Sequence, residues 1–100
     1  MAAKSGAFNI APETMVVTSA YVTRDGMPIL FVTHEPDEDG GSIWQFHCGN
    51  GDYDATKIQV VRLDTILRID PTIETVSSLP TGCVARRASM NDGWIFGREH

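Results

Sequence analysis

Two adjacent residues near the middle of the chain, His47 and Cys48, are of the types that form a general base and its nucleophile. They lie in the stretch Gly41–Tyr53, whose sequence is GSIWQFHCGNGDY. Apolar and polar residues alternate from Ser42 onward, and this period predicts a β-strand. Because neighbouring side chains on a strand point to opposite faces, we do not expect His47 and Cys48 to react together.

The same alternation gives this strand one apolar and one more polar face. Cys48 shares its face with Trp44 and Phe46, so we expect all three in the protein core. His47 lies on the other face, where we expect it at the surface. Two functional alternatives stay open for His47: contact with a partner, and acid–base chemistry together with Asp52.

Histidine, cysteine and acidic residues also raise the question of a metal site. His34, His47 and Cys48 match none of the usual spacings of zinc ligands and supply no fourth ligand. The acids at 37–39 begin a loop without the glycine and the closing glutamate that a calcium-binding EF-hand needs. The sequence shows neither a serine triad nor a phosphate-binding loop. We therefore expect no metal and no cofactor.

The acidic segment Glu35–Gly41 is the strongest candidate for a binding surface. A proline, two glycines and four carboxylates predict a loop that is either merely solvated or docked against a basic partner. The chain has 13 acidic and 8 basic residues, a formal net charge of -5, which disfavours nucleic acid and anionic membranes as partners. The candidate partner-binding residues are Glu35, Asp37, Glu38, Asp39, His47, Asp52, Tyr53 and Trp94.

Further strands are predicted around these residues. Met15–Thr23 is rich in Val, Thr and Tyr and is predicted as the first strand, and the Asp25-Gly26 pair predicts a hairpin turn after it. Met27–His34 is expected to be the partner strand, central in the sheet and covered on both faces. Shorter strands are predicted at Lys57–Arg62, Cys83–Ala88 and, at the sheet edge, Trp94–Phe96.

The apolar period changes to that of a helix after residue 62. Apolar residues at positions 63, 66 and 67 share one helical face. Asp70 followed by Pro71 predicts the cap and the first position of a second short helix. Residues 80–82, Pro-Thr-Gly, are expected to end that helix.

The order of these elements predicts an α+β fold, an antiparallel β-sheet of about five strands with one or two short helices packed on one face. The predicted core residues are Phe31, Trp44, Phe46, Leu63, Ile66, Leu67 and Ile73. Residues 14–100 are expected to form a single domain and residues 1–13 a flexible arm, from which Phe8 and Ile10 are the residues able to dock. The absence of a secretory signal and of a long apolar run indicates a cytoplasmic protein with free thiols.

Several short motifs occur in order across residues 15–90. They are His34-Glu35-Pro36-Asp37, Ser42-Ile43-Trp44-Gln45-Phe46 ending in Gly49, Leu63-Asp64-Thr65-Ile66-Leu67, Asp70-Pro71-Thr72-Ile73 and Leu79-Pro80-Thr81-Gly82. This combination resembles the DUF2185 family, also termed the Imm33 immunity-protein domain. The resemblance implies a small cytoplasmic protein that binds and blocks a partner, namely a toxin of a bacterial polymorphic toxin system.

The motifs depart from the family pattern at three places. His34 begins a run in which the family usually has Arg-Glu-Glu-Pro, and Ile43 replaces a glycine before the tryptophan. The family's acid two residues after Gly49 is Gly51 here, and an acid, Asp52, follows one place later. If that acid contacts the partner in the family, its role here is either lost or carried by Asp52.

Three functions follow from the sequence as alternatives. The first is a non-enzymatic binding protein that covers a toxin's basic or catalytic surface with the acidic loop and the turn Gly49–Tyr53. The second is a small enzyme or ligand-binding domain in which His47 or His34 pairs with Asp52. The third is a homo-oligomeric module of unknown role that pairs edge strands through residues 94–96.

Overall fold

The computed structural model describes residues 8, 10–52 and 54–98 and folds them into one six-stranded sheet with short helices. The strands are β1 (Met15–Ser19), β2 (Phe31–Pro36), β3 (Ser42–His47), β4 (Ile58–Arg62), β5 (Cys83–Arg86) and β6 (Ile95–Arg98). The helices are α1 (Ala20–Thr23), α2 (Leu63–Ile69) and a 3-10 helix (Pro71–Val76).

The strands lie in the order β4-β1-β3-β2-β5-β6, and every pair is antiparallel except β1 with β3. This mostly antiparallel sheet with few short helices confirms the predicted α+β class. The parallel pair arises because β2 and β3 form a hairpin that lies beside β1 through β3, with Val17 opposite Gln45. Only a distant contact decides this arrangement, and the local sequence pattern does not predict it.

The predicted first strand ends early, at Ser19, and its last four residues form the helical turn α1. The Asp25-Gly26 pair closes this turn and does not form a hairpin. Asp25 N–H donates to the Ala20 carbonyl, and Gly26 follows with a φ of 70°. A left-handed glycine serves a helix C-terminus as well as a hairpin, so the same dipeptide fits both. The strand predicted from Met27 starts only at Phe31.

The core lies on one face of the sheet, beneath α2 and the 3-10 helix. Its strand residues are Val16, Val32, Trp44, Phe46 and Ala85, and its helix residues are Leu63, Ile66, Ile73 and Val76. All these strand residues occupy the same side of the sheet by register, because Val32 lies opposite both Phe46 and Ala85. The helices therefore pack on one face only, although β2 was expected to be covered on both.

The described part of the predicted N-terminal arm is docked on this core. Phe8 is 1% exposed, and its ring meets the Trp44 and Phe46 rings edge-on, at centroid distances of 5.0 and 6.3 Å. Asp64 N–H also donates to the Pro12 carbonyl, which fixes the segment beside the start of α2. A flexible arm was the expectation for 1–13, but a buried aromatic ring holds residue 8 in place. Residues 1–7 and 9 lie outside the described residues.

Two of the predicted core residues are only half-buried, Phe31 and Leu67. Leu67 packs against the border of the core. Phe31 points to the opposite face of the sheet, where the Arg86 guanidinium lies 4.8 Å from the centre of its ring. The other five, Trp44, Phe46, Leu63, Ile66 and Ile73, are buried.

We call the sheet face opposite the helices the outer face. Its side chains come from the strand positions that alternate with the core positions. Four large apolar residues on it are exposed to solvent, namely Met15 (55%), Ile43 (39%), Val60 (59%) and Ile95 (74%). Met15, Ile43 and Val60 come from the three adjacent strands β4, β1 and β3, where an open sheet face usually has polar residues, and Ile95 lies apart on β6.

Candidate functional site

The β2–β3 hairpin carries the predicted acidic loop at its tip. Pro36 lies opposite Ser42, so residues 37–41 form the tip. Asp37 shapes it: its backbone N–H donates to the Gly41 carbonyl at 3.0 Å, and its carboxylate accepts the Asp39 N–H. Glu38 and Asp39 are exposed. Two of the predicted carboxylates therefore face solvent at the tip, while a third holds the turn.

Glu35, the fourth predicted carboxylate of the loop, belongs to the strand β2 and to the outer face. It is half-buried, and its Oε2 accepts hydrogen bonds at 3.1 Å from Thr33 Oγ1 and from Gln45 Nε2. These contacts tie Glu35 to its own sheet. The exposed acidic surface is accordingly smaller than the loop composition suggests.

His47 continues this polar chain across the outer face. Its Nε2 lies 2.9 Å from Gln45 Oε1, the oxygen of the same amide whose nitrogen donates to Glu35. Since a carbonyl oxygen can only accept, His47 Nε2 carries the proton in this arrangement. Glu35, Gln45 and His47 form a relay of hydrogen bonds over two strands.

His47 was expected at the surface, and the structure buries it, with 4% of the residue exposed. The Phe31 ring from β2 stacks beside the imidazole at a centroid distance of 6.5 Å. Burial lowers the pKa of His47 below its ordinary value, and the nearby Glu35 carboxylate only partly opposes this shift. His47 cannot act as the exposed partner contact that was predicted.

We expect this burial to appear as a pH dependence of stability. The folded state holds His47 neutral, whereas the unfolded chain takes up a proton near the ordinary pKa of 6.5. Its folded pKa is the lower one, so this residue destabilises the fold progressively as the pH falls through 6.5. The variant His47→Gln has no imidazole to protonate. In urea titrations, the unfolding free energy of the wild type minus that of the variant should therefore decrease from pH 8 toward pH 5. A difference that grows on acidification would contradict the burial argument.

Asp52, the proposed acid of the turn after β3, is held by α1. The Tyr21 hydroxyl donates a short hydrogen bond to its carboxylate, and this bond lowers the pKa of Asp52 and raises the pKa of Tyr21. The Lys57 ammonium lies 5.6 Å from the centre of the Tyr21 ring. The second predicted residue of this turn, Tyr53, lies outside the described residues.

The predicted catalytic and binding sets are not assembled in one place. His47 bonds to Gln45 and Asp52 bonds to Tyr21, so each member of the proposed acid–base pair has a different partner. The acidic tip precedes β3 and the turn with Asp52 follows it, which separates them by the strand's length of about 20 Å. His34 stacks on Trp44 at 3.9 Å and bonds to the Leu79 carbonyl and Ser42 Oγ.

Asp70 and Trp94 both contact Arg87, a residue that is not among the predicted site residues. Asp70 is the N-cap of the 3-10 helix, accepting the Thr72 N–H at 3.0 Å, and it also forms a buried ion pair with Arg87 at 2.8 Å. Trp94 is half-buried, and the Arg87 guanidinium lies 4.2 Å from the centre of its ring. Trp94 therefore packs against a buried residue of the fold and is not only an exposed residue beside the edge strand. The available signal was strand alternation, which puts Arg87 on the same face as the buried Ala85.

Other kinds of site have little support in the described part of the chain. Within residues 8, 10–52 and 54–98 no group of three or more His, Cys, Asp or Glu side chains is placed to bind a metal ion. Cys48 is buried and Cys83 half-buried, and both thiols are free. None of the described helices is long and apolar enough to cross a membrane.

The exposed carboxylates of the hairpin tip and the apolar outer face are thus the features that best suit a binding function. Composition alone predicts the tip. The outer face is not among the predicted sites, and its signal in the sequence is the apolar residues at non-core strand positions. The resemblance to the immunity-protein family stays a prediction. The chain matches no protein-family model, no curated protein and no solved structure.

Proposed function

We propose that this protein is a non-enzymatic protein-binding domain, an immunity protein that neutralises a toxin by covering its basic surface. One observation carries the proposal: the acidic hairpin tip with exposed Glu38 and Asp39 leads directly into Ile43, at the border of the apolar outer face. Exposed apolar surface beside a charged rim is the anatomy of a protein–protein interface.

The apolar part of this surface would supply contact area. Met15 of β1 lies beside Ile43 of β3 in the register of this parallel pair. On the other side of β1, Val60 of β4 lies opposite Val17 of β1. Met15 and Val60 are each more than half exposed. Burying apolar side chains of this size stabilises a complex by roughly 25 cal/mol for each Å² removed from water, less the costs of association.

The acidic part would supply orientation and speed. The chain has an excess of five acidic over basic residues, and the tip presents Glu38 and Asp39 on a narrow hairpin. Such a charge steers a basic partner toward the surface and raises its association rate by about tenfold or more at low salt.

The family resemblance supports the same function. Its first motif, which contains Glu35 and Asp37, lies at the end of β2 and in the hairpin tip. The resemblance implies binding and inhibition of a toxin, and it also implies a cytoplasmic site of action. Asp52 has no place in this binding surface, because it lies at the other end of β3 and is bonded to Tyr21.

The test is charge reversal at the tip. We expect the double variant Glu38→Lys/Asp39→Lys to reduce the association rate for the toxin by about tenfold at low salt and by much less at high salt. A partner would first be captured from the native host and shown to be toxic when it is expressed alone. Stopped-flow binding then compares wild type with the variant over a range of salt concentrations.

The matched control is Glu74→Lys, which reverses an exposed acid on the 3-10 helix, in the layer that covers the other face of the sheet. We expect this control to protect cells from the toxin as wild type does. Equal protection by the tip variant would contradict the assignment of the tip. A stoichiometric partner that is harmless when expressed alone, or no partner at all, would contradict the immunity function.

A further inference from the structure

The strand β6 ends the sheet and is exposed along its whole length. It pairs with β5 through all four of its residues, and it has no second neighbour among the described strands. Every residue from Ile95 to Arg98 is exposed, with Ile95 at 74% and Phe96 at 44%. An edge strand of this kind offers unpaired N–H and C=O groups to another strand.

This edge carries only part of the usual protection against pairing. Natural edge strands are short or carry prolines, bulges or charges. The strand β6 is short and has one charged residue, Arg98, at its end, but it has no proline and pairs with β5 without a bulge. The opposite edge, β4, is different. There, Gln59 accepts a hydrogen bond from Thr23, and Arg62 at its end forms an ion pair with Asp64. Side chains of β4 are thus bonded within their own chain, while the backbone edges of β4 and β6 both have no second neighbour among the described strands.

Gly97 in β6 is a further indication that another strand approaches this edge. Its φ is not in the left-handed region, so the backbone does not require glycine there. A Cβ atom added at Gly97 would meet nothing within 4 Å, so packing within the chain does not require glycine either. A glycine inside a strand weakens it and often marks the close approach of another chain.

We propose that two copies of this protein form a homodimer by pairing their β6 strands antiparallel, which joins the two sheets into one of twelve strands. A twofold axis between antiparallel strands is perpendicular to the sheet, so it keeps each side chain on its own face. Residues directly opposite each other must then share a face. Two registers pair three of the four residues of β6 under this condition, one centred on Phe96 and one centred on Gly97. We choose the register that places Phe96 opposite Phe96 of the second copy, because it also pairs the exposed Ile95.

In this register Ile95 lies opposite Gly97 of the second copy and fills the empty space above it. The two Phe96 rings meet on the other face, an aromatic cross-strand pair that stabilises sheets. Both apolar residues of the edge become covered, one on each face.

The charges along the edge are complementary in the same register. Arg98 of each copy comes beside residue 94 of the other, next to the turn that contains the exposed Asp92. An arginine side chain is long enough to reach this carboxylate, and the twofold axis creates the contact twice. This pairing goes beyond the proposed toxin binding and does not depend on it, since the acidic tip and β6 are separate surfaces.

Analytical ultracentrifugation of the full chain tests the pairing. The contact surface is small, so we expect a dimer that dissociates over a roughly hundredfold dilution. Phe96→Lys places two like charges directly opposite each other and should give a monomer throughout this range. Val60→Lys makes a comparable change at an exposed residue of the other edge strand and should leave the dimer unchanged. A wild type that is monomeric throughout, or a dimer lost only in Val60→Lys, would overturn the proposal.

A crosslinking experiment tests the register and does not depend on how Phe96→Lys folds. In a Cys83→Ser background, Phe96→Cys brings two thiols together at the axis, so mild oxidation should yield a disulfide-linked dimer. Ile95→Cys places each new thiol opposite a glycine and should crosslink at least tenfold more slowly. Equal or reversed crosslinking rates would overturn the register.

Discussion

Alanine at Arg87 is expected to lower the free energy of unfolding by about 3–5 kcal/mol, because it leaves the carboxylate of Asp70 buried and unpaired. The two side chains are 2% and 3% exposed, and their nitrogen and oxygen lie 2.8 Å apart. A loss of this size is a large part of the total stability of a small domain.

Arg87 joins three parts of the fold that lie far apart in the sequence. Its Nε–H donates to the Ile29 carbonyl at 3.0 Å, and its Nη1 donates to Thr72 Oγ1 at 3.0 Å. The guanidinium also stacks on Trp94, next to β6. The same variant should therefore loosen the 3-10 helix and the sheet edge together, and the amide protons of both should exchange faster with solvent.

Urea denaturation of Arg87→Ala beside Arg86→Ala is the direct measurement. Arg86 is the neighbouring arginine, but it is exposed and points to the outer face, where its guanidinium lies over the Phe31 ring. We therefore expect its loss to cost no more than about 1 kcal/mol. Asp70→Asn keeps the shape of the cap and removes the charge, and it should also be strongly destabilising because it leaves Arg87 unpaired. Equal effects of the two arginine variants would show that the buried ion pair has no special role.

The position of β3 and the faces of its side chains follow from local pattern. Trp44 and Phe46 alternate with polar residues, and a period of two forces them onto one face wherever the strand lies in the sheet. The cap at Asp70 is equally local, because it needs only the proline and the backbone N–H groups that follow. Features of this kind need no knowledge of tertiary contacts.

The features that sequence reasoning missed depend on pairing between distant segments. Asp25-Gly26 suits a hairpin and a helix end equally, and only the contact of β1 with β3 and β4 decides against the hairpin. His47 is buried because β2 brings Phe31 beside it, and alternation along β3 alone indicates only which face it occupies. Local pattern gives the face of a residue, while the neighbours across the sheet determine how far it is buried.

The candidate site also combines features that follow from local sequence with features that depend on contacts between distant segments. Composition predicted the exposed acids of the hairpin tip, because a segment of carboxylates, glycines and a proline cannot form a core. The relay from Glu35 through Gln45 to His47 could not be predicted, since its members come from two strands whose register was unknown. The apolar outer face was missed for a different reason. Exposed isoleucine and valine at strand positions look the same in sequence as buried ones.

Phe8→Ala is the second change with a large expected effect, a loss of about 3–5 kcal/mol of unfolding free energy. Phe8 is almost completely buried against Trp44 and Phe46, so its removal leaves a cavity between aromatic rings. Phe8→Leu keeps most of the apolar volume and should cost clearly less. This prediction separates two descriptions of the segment. The surrounding sequence has no periodicity, so composition alone would assign Phe8 to a solvated arm, whereas the structure places it in the core.

The measurement compares urea unfolding of Phe8→Ala with that of Phe96→Ala, at concentrations at which the chain is monomeric. Both variants lose the same phenyl ring, but Phe96 is 44% exposed at the sheet edge, so its loss should cost much less. A Phe8→Ala variant as stable as Phe96→Ala would mean that the segment before β1 is not part of the core. A large difference would extend the folded unit at least to residue 8, because only a ring that is held in the core leaves a cavity when it is removed.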